Sequence, residues 1–155
     1  MKKMYFLAML VFTVITVQAQ AVTQKNLEGT WRFISYSDGN QVYDLEKREV
    51  KLTEKGKKDW DAQHIAEYEE WLKQAWLNSE DMHFNDAIMT FKGDRVSSFV
   101  DGEKMMDGDF GINKEATGIT VIHEDGVTEE LALTIKDNLL YMNMSGLDLV
   151  LKRKY

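Results

Sequence analysis

The sequence has no cysteine, no proline, only three histidines, and fewer basic than acidic residues. Without cysteine there is no disulfide, no thiol nucleophile and no thiolate metal site, and no lipid-bearing cysteine can tether a mature N-terminus. Internal repeats and low-complexity segments are absent as well. A nucleophile elbow of the G-x-S-x-G type does not occur, and no two histidines have zincin-like spacing. His123-Glu124-Asp125 is better explained as the approach to an Asp125-Gly126 type I′ hairpin turn than as a metal site. "DGDFG" at 107–111 lacks both a kinase context and the remaining EF-hand ligands. No metal, cofactor or catalytic residue is therefore expected.

One uninterrupted apolar run is present, and it is short. "MKKMYFLAMLVFTVITVQAQA" opens with Lys2 and Lys3, continues with an apolar stretch from Tyr5 to Val17, and ends in Ala19-Gln20-Ala21. This is the pattern of a secretory signal peptide over residues 1–21, with cleavage after Ala19 or Ala21. The run is too short for a comfortable membrane span. Export to the periplasm or the extracellular space is the expectation, and packing alone must then stabilise the mature chain. Residues 22–155, about 134 residues, suffice for one domain with one core. The leader removes two lysines and no acid, leaving 17 basic against 26 acidic residues and a net charge of −9. Nucleic acid and anionic membrane surfaces would repel such a chain.

From Phe84 onward, turn chemistry recurs every 8–12 residues, at Gly93, Asp101-Gly102, Asn113 to Gly118, Asp125-Gly126, Asp137-Asn138 and Ser145-Gly146. Alternating runs lie between these turns, which is the mark of an antiparallel meander. In "VTEELALTI", for example, Val127, Glu129, Leu131, Leu133 and Ile135 share one face. With "GTWRFISYS" as the first strand, eight are expected. Sequential hairpins favour an all-β, eight-stranded antiparallel up-and-down β-barrel over a sandwich. "VYDLEKREVKL" reads equally as a short extra strand or an extended linker.

Between the first and second barrel strands, "DWDAQHIAEYEEWLKQAWLNS" has helical period. One amphipathic helix is predicted within an insertion of about 57–79, with Asp59 as N-cap and Asn78-Ser79 as stop. Trp60, His64, Ile65, Tyr68, Trp71, Leu72, Ala75 and Trp76 fall within an arc of about 160°, with Asp61 the single charged intruder. So wide an apolar arc has to be covered, by the parent barrel or in a homo-oligomer.

Gly29-Thr30-Trp31, early in the mature chain, is similar to the opening motif of the calycins, the lipocalins and their relatives. The half from "IMTFKGDRVSSFV" to "LDLVLKRK" resembles the lipocalin-like domains of exported Bacteroidetes proteins. The resemblance implies that Gly29 lets the chain turn closely under the barrel floor and that Trp31 plugs it. It also implies that a cation from the last strand, Arg153 or else Lys152, covers the indole. The chain departs from lipocalins in ending soon after the last strand and in carrying its helix early, where fatty-acid-binding proteins place a cap over the barrel mouth.

Alternation points Phe33, Met89, Phe91, Met106, Phe110, Val121, Leu131, Leu133, Met142 and Met144 inward. These are the candidate lining of a pocket for a small hydrophobic or amphipathic molecule, with Trp60, His64, Tyr68 and Trp71 as its lid. The same alternation fits a narrow barrel filled by its own side chains, which would leave a protein-interaction module acting through the helix or the loop rim. A lipid-acting enzyme is the third reading. It requires a buried His64 or carboxylate facing a cavity.

Overall fold

Each alternating run becomes a strand, and each turn signal becomes a hairpin. The computed structural model describes residues 20–79 and 86–155. The expected leader lies outside these apart from Gln20 and Ala21, as does His83. A short helix α1, Gln24–Leu27, is followed by β1, Gly29–Ser37, and by a hairpin of β2, Gln41–Asp44, and β3, Glu49–Leu52. Helix α2 spans Ala62–Leu77. The meander is β4 (Ile88–Lys92), β5 (Arg95–Val100), β6 (Glu103–Ile112), β7 (Gly118–His123), β8 (Thr128–Lys136), β9 (Leu139–Met144) and β10 (Leu147–Lys154). All pairings are antiparallel and join sequence neighbours except two: β1 pairs with β4 across the β2–β3 hairpin, and β10 returns to pair with β1. The eight strands β1 and β4–β10 thus form a closed up-and-down barrel with α2 inserted between its first and second strands.

Turn residues set this register. Asp101-Gly102, Asp137-Asn138 and Ser145-Gly146 each place two consecutive residues at positive φ, the type I′ geometry whose twist suits a two-residue hairpin. The β7–β8 connection is different. Of Glu124, Asp125 and Gly126, only Gly126 has positive φ, and the His123 N–H donates to the Val127 carbonyl. That is a three-residue loop with a left-handed glycine, not the predicted I′ turn.

The segment left open between strand and linker forms the β2–β3 hairpin. It exists because β1 is longer than β4. Gly29–Arg32 pair with β4, while Ser35–Ser37 pair with β2 along the same edge. A bulge between Phe33 and Ser35 marks the handover. The extra residue reverses the alternation, so that Trp31, Phe33 and then Tyr36 are buried.

The barrel interior is packed with apolar side chains. Val96, Val121, Leu140 and Leu151 are 0 % exposed, and Trp31, Met89, Phe91 and Leu131 are 1 %. Phe91 and Phe110 meet edge to face at 5.4 Å. Side chains with so little accessible surface leave no water-sized space beside them, so this part of the shaft is filled.

Candidate functional site

The two ends of the barrel are closed by different means. At the floor, Thr23 caps α1 through a reciprocal capping box with Asn26, which drives the fully buried Leu27 under the strands. The Trp31 indole Nε1 donates to the Leu27 carbonyl at 2.7 Å. The Arg153 guanidinium lies over the Trp31 ring, 4.3 Å from its centroid. Its fork donates to the Asn26 carbonyl at 2.7 Å and to the Glu28 carbonyl. Gly29 has φ +119°, and a Cβ there would come within 2.9 Å of the Arg153 guanidinium. Gly29, Trp31 and Arg153 together make one structural plug. Lys152 points elsewhere and pairs with Glu46.

At the mouth, α2 lies beside the β2–β3 hairpin. Its N-cap is Asp61, two residues beyond the expected Asp59, and this explains the lone charge in the apolar arc. Asp61 Oδ1 accepts from the His64 N–H at 2.9 Å, and Oδ2 lies 2.6 Å from His64 Nδ1. Glu69 latches the helix to β3. Its carboxylate accepts from the Leu52 N–H at 2.9 Å and from Lys51 Nζ at 3.1 Å. Burial alone would raise the Glu69 carboxyl, but these two bonds outweigh it and hold the group below its ordinary range.

Helix α2 buries a narrower stripe than the predicted arc. Leu72 and Trp76 are buried, and Ile65 and Tyr68 pack partly against the core. Trp60 is 44 % exposed and Trp71 60 %, and the His64 side chain is also exposed. The arc assumed one flat contact surface. The β1–β2 pair instead offers a narrow ridge, formed by Tyr36 and Tyr43 stacked at 4.5 Å, and the Trp76 ring meets Tyr43 at 5.7 Å. Burial pushes the Tyr36 phenol well above its ordinary value, nearby Tyr43 and Asp38 add to the effect, and the Trp76 indole N–H opposes it. Tyr36 therefore stays neutral at physiological pH.

Of the ten side chains predicted to point inward, all are buried except Met144, which is half-buried near the mouth. Among the described residues they belong to one continuous core cluster, with Met144 packed against it. The lid residues separate: Tyr68 lies partly against the core, while Trp60, His64 and Trp71 face outward. A cleft of about 190 Å³ remains at the mouth, lined by Tyr36, Tyr43, Trp71, Leu72, Ala75, Trp76 and Ser79. Tyr36 and Tyr43 were missed because a bulge and a strand handover, neither visible in the alternation, bring them there.

Across the barrel, His123 Nε2 lies 3.3 Å from Glu129 Oε2, on the same strand faces as Val121 and Leu131. Among the described residues no three histidine or acidic side chains come together to hold a metal ion. No helix among them is long and apolar enough to cross a membrane. The closed antiparallel barrel is consistent with a lipocalin-like fold. No protein-family model matches the chain, and no curated protein or solved structure matches it either.

Proposed function

We propose that this chain is an exported lipocalin-like binder of a small apolar or amphipathic molecule, held at the helix-covered mouth instead of deep in the barrel. The cleft between α2 and the β1–β2 pair is the observation that carries this reading. Its walls are aromatic and aliphatic, and the half-buried Tyr43 phenol adds a polar group that can orient a ligand. A volume of about 190 Å³ is below the ~300 Å³ at which drug-sized pockets begin. The ligand is then either compact or admitted by an outward shift of α2, which Glu69 ties to the hairpin. Export rests on the leader. Cleavage after Ala19 would keep two bonds of the folded domain, Gln20 N–H to the Ile135 carbonyl and Asn26 Nδ2 to the Ala21 carbonyl.

The test uses N-phenyl-1-naphthylamine, an apolar fluorophore that brightens when removed from water. Saturable enhancement with the mature protein is expected. Ala75→Trp fills the cleft from an exposed helix position and should abolish the enhancement without unfolding the domain. Non-saturable enhancement, or equal binding by Ala75→Trp, would overturn the assignment.

A further inference from the structure

The outer side of α2 carries aromatic surface that the barrel does not use. Tyr68 joins two exposed tryptophans into one unit. Its ring lies 4.9 Å from Trp60 and 5.5 Å from Trp71, nearly parallel to the latter at 16°. Beside Trp60, at the start of the helix, is a second cleft of about 320 Å³ lined by Asp59, Trp60, Asp61 and His64. This cleft is separate from the one lined by Tyr36 and Trp76.

Its chemistry is selective. An indole held from one side by Tyr68 keeps the rest of its π surface open, and that surface attracts cations. Two carboxylates flank it. Asp61 is held ionised by the His64 N–H and imidazole bonds, and Asp59 makes no hydrogen bond or ion pair among the described residues. The helix N-terminus contributes only about half a positive charge, and the Asp61 cap offsets it. The cleft is thus a shallow, solvent-exposed surface with an aromatic wall and two carboxylates, in a chain of net charge −7.

We infer that the Asp59–Trp60–Asp61–His64 cleft binds a small, freely diffusing organic cation with a quaternary ammonium head. A bare metal cation would use only the carboxylates, and a neutral sugar only the ring. A methylated ammonium uses both, because its charge is spread over an apolar shell that the indole can contact.

The decisive comparison is choline against 3,3-dimethyl-1-butanol, its neutral isostere, titrated into the mature protein at constant ionic strength with isothermal titration calorimetry as readout. Choline is expected to saturate in the millimolar range, with the isostere at least about tenfold weaker. Trp60→Leu should abolish the response and Asp59→Asn should weaken it several-fold, both with unchanged circular dichroism. Equal binding of the isostere, preference for methyl glucoside, or an unaltered response in Trp60→Leu would overturn the inference. Sedimentation with phosphatidylcholine vesicles without free choline binding would overturn it as well.

Discussion

Replacing Arg153 with alanine tests the closure of the barrel most directly. Three interactions disappear at once: the guanidinium over Trp31 and its bonds to the Asn26 and Glu28 carbonyls. A cation over an indole at a partly exposed position contributes about 1 kcal/mol. Each carbonyl bond adds a net of about 1 kcal/mol, because water can reach the freed oxygen and limits the penalty. The expected loss is about 2–3 kcal/mol, which lowers Tm by roughly 6–9 °C for a domain of this size. Urea denaturation followed by far-UV circular dichroism measures it. Arg153→Lys keeps the charge over the ring but lacks the planar fork, so it should lose about 1 kcal/mol. A loss below ~0.5 kcal/mol in Arg153→Ala, or an Arg153→Lys variant as stable as the parent, would refute the argument that this fork ties β10 to the floor.

Other perturbations address separate parts of the structure. Gly29→Ala places a Cβ at φ +119°, against the Arg153 guanidinium, and should cost about 1–2 kcal/mol in the same urea assay. Glu69→Ala frees the Leu52 N–H and should loosen α2, visible as faster amide exchange in Ala62–Leu77 with the strands unchanged. Because the Glu69 carboxyl is lowered in the folded state, its contribution is present above its unfolded pKa, about 4.5. It is lost as pH falls through the lower folded value. Acidification from pH 4.5 down through the lowered folded value should thus progressively protonate the latch and bring the parent's α2 exchange towards that of Glu69→Ala, and a pH-independent difference would exclude the latch. Mass spectrometry of the exported protein should give a chain starting at Gln20; a start at Val22 would mean that the Gln20 and Ala21 bonds are dispensable.

Much of the barrel can be read directly from the residues. From β4 to β10 each strand pairs with its neighbour in sequence, so local turn chemistry at Asp101-Gly102, Asp137-Asn138 and Ser145-Gly146 sets both order and register there. A strict two-residue period then assigns Leu131, Leu133 and Ile135 to the interior. The plug was legible through the resemblance of Gly29-Thr30-Trp31 to the calycin opening motif, which implied a cation from the last strand over the indole. The helix is different. A 100° period gives its angular spread but not its partner, and the partner decided that Leu72 and Trp76 go in while Trp60 and Trp71 stay out.

What the amino-acid order determined by itself is what is enforced between neighbours: the eight barrel strands, their hairpin sequence and the inward set, whereas the floor plug joins Trp31 to Arg153 across the chain. Tertiary structure alone decided how full the shaft is, because alternation is identical for a packed and an open barrel and only the summed side-chain volumes distinguish them. It also decided where the remaining clefts lie. The one at the mouth formed where β1 outran β4, and a single bulge at 33–35 turned Tyr36 inward towards the helix.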